Sequence, residues 1–521
     1  MLKKNAANNH DGGKKIVLTA SAIEMSDFNL NPFIAFSGGF PMFLPKDFLR
    51  RRLYPPTPFN EDGTAKFAPY GLRKIESILI DYFGEENVAT AYPSMLEKFV
   101  GKDTRVVGIS TMDPLGVGFV SRTYTSFIGI SGKPMTAVEF EDLLSNPSLK
   151  KYRPKIIVGG SGAWQIVKAG VQDQFGIDTV VMGEAEEDVL EVFRKAVNRE
   201  GLPKQVVCRK PKPENIPCIK KPSLFGVVEV TRGCGRGCQF CSPTLRQRYS
   251  FPLNHILREV ELNAKNGTRM ITLQTDDIFL YKTNPDFTPN REAIVELVKS
   301  IARVEGVQYI QIAHAALAPV VYDPRIVEEI APTLVEKSRW VYVNNEKYAT
   351  FEIGIETGSV KLIGRYMRGK MLPYPPEQWP DIVVQALGIL NDNQIYPLAT
   401  LITGLPGETQ EDVIATLELL DRLKDSRIFY VPLLFTSEMD CILNRERHAD
   451  LTSLTELHWE VFSTCWNHNV KTWTNGDFQR LVRIGSLIAY AAYYRWLHGP
   501  KALYPILKVS GWSERLWNNT K

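Results

Sequence analysis

Cys234, Cys238 and Cys241 are the densest group of soft metal donors in this chain, spaced C-x3-C-x2-C in the run Val230 to Pro243 (VTRGCGRGCQFCSP). The run follows an apolar, strand-like stretch from Leu224 to Val230. Gly233, Gly235 and Gly237 free the intervening backbone to curl the sulfurs toward one point. Thiolates suit iron–sulfur clusters and zinc. A closed structural zinc site wants four ligands, usually as two local pairs, and no fourth Cys or His lies close by in the sequence. A cubane held by three sulfurs instead keeps one iron open to an outside ligand. Two plainer readings compete, a zinc knuckle short of one ligand and a chance grouping; the flanking strand and glycines favour the cluster.

With Phe240 directly before the third cysteine, the motif resembles that of the radical S-adenosylmethionine (SAM) superfamily. The resemblance implies a 4Fe–4S cluster on Cys234, Cys238 and Cys241 whose open iron binds the amino and carboxylate groups of SAM. It also implies reductive cleavage of SAM to a 5′-deoxyadenosyl radical that abstracts hydrogen from an unactivated carbon.

Strand–helix alternation follows the motif. Strands are expected at Gly226–Val230, Met270–Gln274, Tyr309–Ala313, Ala349–Glu356, Ile395–Ile402 and Ile428–Leu434. Helices are expected between them at Leu253–Lys265, Thr288–Val304, Pro324–Ile330, Pro376–Asn391 and Gln410–Lys424. Six parallel strands with outer helices curl into a partial (β/α) barrel, whose chemistry belongs at the carboxyl ends of the strands. The family resemblance places SAM there. Gln274-Thr275-Asp276-Asp277 stands where the family holds the SAM amino group, and a carboxylate accepts a charge-assisted bond from an ammonium. Glu356-Thr357-Gly358-Ser359 resembles the segment against the methionine and ribose moieties, and Gly404-Leu405-Pro406-Gly407 the one contacting adenine. Arg365, Arg368 and Lys370 are carboxylate partners or simply basic residues at a helix end. His314 points into the barrel or into its packing, and a satisfied core or ribose-contacting histidine is the better reading than an iron ligand.

The N-terminal third also alternates. Apolar runs at Ile16–Ala22, Val106–Ser110, Lys155–Gly160 and Thr179–Gly183 flank helical periodicity at Tyr70–Phe83, Val138–Leu144 and Ala185–Ala196, which predicts a doubly wound parallel sheet. Such sheets bind ligands outside their carboxyl ends. Those ends carry Ser110-Thr111, Gly159-Gly160-Ser161-Gly162 and Gly183-Glu184, but no G-x-G-x-x-G fingerprint. Placed before a radical SAM barrel, the segment is similar to the cobalamin-binding domain of one large branch of that superfamily. The resemblance implies cobalamin bound by these strand ends. The Asp-x-His-x-x-Gly motif that gives cobalt a histidine elsewhere is missing, so the implied cobalamin has no histidine ligand. Residues 25–69, rich in Phe and Pro, form an insertion expected to pack onto the barrel.

The organisation expected is therefore α/β throughout. A flexible tail (1–14) precedes a Rossmann-like cobalamin-binding-type domain (15–203), a Pro- and Lys-rich linker (204–222), the partial radical SAM barrel (223–436) and a helical C-terminal region (437–521). The 521 residues allow about two to four domains, and 44% apolar with 23% charged residues is ordinary for a globular protein. A net charge of +4 at this length gives nothing for nucleic acid to recognise. Of seven cysteines three are in the motif and four, Cys208, Cys218, Cys441 and Cys465, are scattered; they make no disulfide framework and fit a reducing cytoplasm. The polar start is not a signal peptide, and no apolar run is long enough to span a bilayer. In the C-terminal region helical patterns occur at Leu457–Cys465 and Asp477–His498. The second carries Tyr490, Tyr493, Tyr494 and Trp496 between flanking arginines. It has the ingredients for lying in a membrane interface, for closing the open side of the barrel, or for lining a greasy substrate channel. The expected partners are a small-molecule or lipid substrate and an electron donor such as ferredoxin or flavodoxin. The branch implies methyl transfer from methylcobalamin, with carbon–carbon bond formation, ring closure or rearrangement as the alternative. A cluster or cobalamin protein that senses rather than catalyses is the reading from another class.

Overall fold

The computed structural model describes residues 12–42, 44–127, 132–439, 441–473 and 499–509, with a few positions between 485 and 496. The chain divides into two units, Met1–Val117 with Lys133–Phe225, and Gly118–Gly132 with Gly226–Lys521.

The N-terminal unit is a six-stranded parallel sheet in the order β2-β1-β3-β4-β5-β6, with β1 Ile16–Ala20, β2 Val88–Thr90, β3 Val106–Ser110, β4 Lys155–Gly159, β5 Thr179–Met182 and β6 Gln205–Val207. Every residue of β1 is buried, as expected of a strand with helices on both faces. The period of two sorts its side chains: Ile16, Leu18 and Ala20 join one apolar cluster and Val17 the other. Three-residue β2 and β6 were not anticipated, being too short to show a period. β6 alters the expected linker, because residues 204–222 open as a sheet edge and then run along the helix Tyr70–Phe83. The cause is Arg73, 1% exposed: its guanidinium donates to the carbonyls of Ala65, Lys66 and Pro222 and pairs with Glu76. The insertion at 25–69, expected on the barrel, is anchored inside the N-terminal unit. Phe28, Leu49 and Tyr54 pack with Ile23 and Met135, while Arg50 and Tyr54 bond Glu139.

The second unit opens with β7 (Val227–Glu229) and the antiparallel pair β8 (Thr231–Arg232) and β9 (Tyr249–Ser250). It continues through β10 (Met270–Gln274), β11 (Tyr309–Ile312), the hairpin β12 (Trp340–Val341) and β13 (Lys347–Tyr348), β14 (Glu352–Glu356), β15 (Leu398–Thr403) and β16 (Phe429–Leu434). The parallel sheets β7-β10-β11 and β14-β15-β16 meet at the parallel bridge His314–Glu352, so all six expected barrel strands run in chain order. The expected helices stand between them, Leu253–Lys265 with the boundaries read from the sequence.

β16 is the last strand among the described residues, and its open edge is covered. Asn469, on the helix Glu456–Trp473, accepts from the Tyr430 N–H and donates to the Tyr430 carbonyl, both at 2.8 Å. Leu434 N donates to Thr123 Oγ1 at 3.0 Å. Thr123 lies on the helix Phe119–Phe127, which belongs to this unit although its sequence lies in the expected N-terminal domain. Satisfying a bare strand edge in this way prevents it from pairing with another chain. Most of the aromatic stripe at 477–498 lies outside the described residues; Ile488 and Trp496, which are described, are exposed. Among the described residues no helix is long and apolar enough to cross a membrane.

Candidate active site

The cysteine loop leaves β8 and returns at β9. Gly233, Gly235 and Gly237 have φ of +72°, +73° and +82°, the region open to glycine at no steric cost. At Gly233 the need is also one of space, since a Cβ would lie 2.6 Å from the Gln247 carbonyl oxygen. The turn is fastened by Cys234 N to Pro243 O (3.2 Å), Cys241 N to Cys238 O (3.2 Å) and Gly237 N to Thr244 Oγ1 (2.6 Å). The three thiols are half-buried and free of disulfides. Burial pushes Cys234 up to about 12 and raises Cys238 too; at Cys241 the adjoining Cys238 and Cys234 add to the effect of burial. Three neighbouring thiols whose ionisation opposes one another make poor free thiolates. They fit a cationic iron–sulfur core, which supplies the positive charge that holds all three deprotonated.

Arg236, inside the motif, anchors the loop and was not singled out by its sequence. Its Nη2 donates to Asp277 Oδ2 at 2.8 Å and its Nη1 to Gly369 O at 3.2 Å, and the guanidinium lies 5.3 Å over the Phe287 ring. Gly369 has to be glycine here, because a Cβ would come within 1.7 Å of the Arg236 carbonyl oxygen. Gln239 adds bonds from N to Tyr366 O and from Nε2 to Arg365 O. The loop is therefore docked along 365–370, the segment expected to offer carboxylate partners or to be a basic helix end.

This docking reassigns several expected SAM contacts. Asp277, 1% exposed, accepts on Oδ1 from the N–H groups of Phe279 (3.1 Å) and Ala316 (2.9 Å), while Oδ2 takes Arg236. Its oxygens hold the loop in place of an ammonium. Thr275 is likewise internal, sharing a hydroxyl bond with Thr231 and accepting from Asp277 N. Thr357, fully buried, pairs with Thr416. Asp276 is half-buried; burial raises its pKa, and its charge acts on Cys241. It is the strand-end carboxylate turned to the cluster motif. Phe240 is half-buried in the same loop.

Deeper in the barrel, Glu356 has φ of +64° at a bulge in β14, a strained conformation for a residue with a side chain. Its Oε1 accepts from Lys370 Nζ at 2.7 Å and its Oε2 from Thr400 Oγ1 at 3.1 Å. Lys370 is buried, whereas Arg365 and Arg368 are exposed. His314 is bonded to the Asp276 backbone, and burial holds its pKa below the ordinary histidine range. Its Nδ1 is buried without a hydrogen-bond partner, so it is not the satisfied core histidine the sequence suggested. At the fifth strand end, Gly404 N donates to Glu408 Oε2 (2.7 Å), which His458 Nε2 meets at 3.0 Å. A Cβ on Gly404 would fall 2.5 Å from Ala449 Cβ, so its close approach is to protein. Leu405 is buried, and Gly407 has φ of +71°.

In the N-terminal unit the strand ends converge on Glu24, missed in the sequence because a lone Glu after β1 carries no pattern. Its Oε1 accepts from Met112 N (2.7 Å) and Thr111 Oγ1 (3.3 Å), and burial raises its pKa to about 7. Ser21 bonds the same carboxyl, while Ser37 Oγ and Thr136 Oγ1 are buried without a hydrogen-bond partner. Two orphaned hydroxyls on segments packed beside Ile23 fit a polar ligand rather than a dry core. Gly160 and Gly162 are used otherwise: a Cβ on either would strike the backbone of Thr111 or Met112 at 2.5 Å or 2.2 Å. They seat one loop on the next. Gly159 and Gly183 meet only ordinary contacts; Ser161 and Gly183 are exposed, and Ser110 and Glu184 half-buried.

A family model described as Radical SAM superfamily matches residues 228–420, the stretch carrying the three cysteines and five of the six barrel strands. Residues 228–420 thus form a radical SAM domain. A 4Fe–4S cluster and SAM are the cofactors of that family, and the three-sulfur loop suits the first. Among relatives of this chain, a tRNA-2-methylthio-N(6)-dimethylallyladenosine synthase of Natranaerobius thermophilus is 29% identical over 42% of this chain and 44% of its own length. The ribosomal protein uS12 methylthiotransferase RimO of Thermotoga maritima is 28% identical over 36% of this chain and 39% of its own. The chain thus spans about two fifths of the length of these relatives. The radical SAM methyltransferase TsrM of Kitasatospora setae, solved with cobalamin and a 4Fe–4S cluster, shares the fold at a TM-score of 0.54. The match has 14% identity and covers 83% of this chain and 77% of that one.

Proposed function

We propose that this radical SAM enzyme is a cobalamin-dependent methyltransferase acting on an unactivated carbon of a small molecule. The observation that carries the reading is the pairing, in one chain, of a three-sulfur loop at the barrel's strand ends with a doubly wound unit that buries the Glu24 carboxyl and the unpartnered hydroxyls of Ser37 and Thr136. When bound, the cluster supplies the electron that splits SAM, and the corrinoid supplies the methyl group. The chain's own part is positional. Arg236 and Gly369 hold the sulfurs to the barrel, Asp276 presents a carboxylate suited to the SAM ammonium, and His314 leaves Nδ1 as an acceptor toward a donor on the bound ligands. Ser21, Glu24, Ser37 and Thr136 have the donors and acceptors for the carboxamides rimming a corrin.

Methylthio transfer, named in the sequence relatives, is the second reading. It is carried by relatives that match 42% and 36% of this chain, whereas the fold shared with the cobalamin-bound methyltransferase covers 83% of it. Anaerobic purification with iron, sulfide and corrinoid quantified, followed by turnover with methyl-labelled SAM, tests the proposal. Label and no extra sulfur in the product supports methyl transfer. 5′-Deoxyadenosine with unlabelled product supports ring closure or rearrangement, and cluster spectra without SAM cleavage leave a sensor.

A further inference from the structure

The buried pair Lys370–Glu356 is more elaborate than a salt bridge needs to be. Glu356 is held in the left-handed region, where a side chain is strained. The register of β14 shifts between Gly354 and Glu356 to allow it. Gly354 clears the space: a Cβ there would lie 1.9 Å from Glu356 Oε1 and 2.4 Å from Lys370 Nζ. Thr400 fixes the second carboxylate oxygen. Glycine, bulge, strain and hydroxyl together fix one ammonium, 7% exposed.

That ammonium sits beside the cysteine loop. The segment bearing it is pressed against the loop at Gly369 and Arg236, two residues before Cys238. Glu356, Cys238 and Cys241 are the charges that act on it. Net charge near an iron–sulfur cluster is one of the determinants of its potential, and at low dielectric a fixed buried charge acts with little screening.

We infer that Lys370, oriented by Glu356 and Gly354, sets the reduction potential of the cluster by stabilising its reduced form, before SAM binds. The step concerned is the uptake of one electron, from dithionite in the assay, which is oxidised in turn. It makes and breaks no bond, and it adds one negative charge to a group already held by three thiolates. The inference rests on the cluster reading above and goes beyond it, since a family match says nothing of where the compensating charge lies.

The test is an electron-paramagnetic-resonance-monitored potentiometric titration of anaerobically reconstituted full-length protein, without SAM, for wild type, K370M, E356Q and the double variant E356Q/K370M. K370M is expected to lower the reduced-to-oxidised ratio at fixed poise about tenfold, about 59 mV for a one-electron couple. E356Q, which leaves the ammonium uncompensated, is expected to raise it in like measure, and the double variant to return near wild type. Opposite signs from two neighbouring substitutions are not what general damage to the site produces. Full clusters whose ratios stay within about threefold of wild type (about 28 mV), or move the same way in both single variants, overturn the inference. So does a loss confined to SAM affinity, which would make Lys370 a carboxylate partner only. If K370M retains no cluster, E356Q and the double variant decide. A wild-type protein that assembles no cluster removes the cluster reading itself, which is a separate failure.

Discussion

Arg236→Met is the sharpest perturbation of the architecture beneath the cysteines. It removes one partner from an ion pair whose side chains are 4% and 2% exposed. Breaking such a pair from one side costs about 3–5 kcal/mol, because the other charge stays buried. Asp277 keeps two backbone N–H donors on Oδ1, which places the expected loss at the lower end, about 3 kcal/mol. The same change releases the bond to Gly369 and the contact over Phe287, so the effect should centre on the loop and the amides bonded to Asp277. Hydrogen exchange of the peptides containing the Phe279 and Ala316 amides reports it directly. At about 1.4 kcal/mol per tenfold, exchange there should rise on the order of a hundredfold, while peptides of the N-terminal sheet stay unchanged. Iron retained after reconstitution should fall in parallel. Asp277→Asn on the Arg236→Met background should recover most of the protection, since the stranded charge is gone. If Arg236→Met leaves exchange at those amides within about threefold of wild type (less than about 1 kcal/mol) and iron content complete, the loop is not held by this pair and the reasoning fails.

Cys238→Ala should abolish the cluster spectrum and all SAM cleavage; activity in that variant would refute the ligand assignment. Gly369→Ala drives a Cβ to 1.7 Å from the Arg236 carbonyl oxygen. Overpacking of this kind costs about 1–3 kcal/mol, and cluster yield after reconstitution should drop with the N-terminal unit's thermal transition unmoved. Glu24 links stability to pH. Its carboxyl titrates at about 7 against an ordinary 4.5, so the folded state holds the proton more tightly than the unfolded one. Stability from this group is complete below pH 4.5 and is lost as pH rises through 7, on the order of 3 kcal/mol at 1.36 kcal/mol per unit. Glu24→Gln should flatten that fall in a series of urea titrations; an unchanged slope would show that Glu24 is not the titrating group.

Much of the fold was legible because burial on both faces writes itself into a strand. IVLTA at β1 and VVGIS at β3 are near-continuous apolar runs, and the helices between them keep a steady period. Short β2 and β6 lack the length to carry a pattern. The helix Phe119–Phe127 reads as part of the first domain because neighbours in sequence are usually neighbours in space, whereas its packing on β16, with the bond from Leu434, assigns it to the barrel unit. The cysteines were legible for a different reason, since three soft donors and three glycines are a local requirement that a few adjacent residues meet. The roles of Asp277, Glu356 and Gly160 were not. Each is of the right type for a ligand at a strand end, and each proved occupied by protein, by Arg236, Lys370 and Thr111 respectively.

The sequence by itself determined the elements, their order and the metal-binding chemistry, because side-chain period, turn residues and ligand spacing act over a few positions along the chain. Tertiary structure alone decided which charges meet. Arg236 reaches Asp277 across 41 residues and Lys370 reaches Glu356 across 14. A buried charge takes whichever partner the packing delivers to it, since staying unpaired at low dielectric costs more than any local preference can offset.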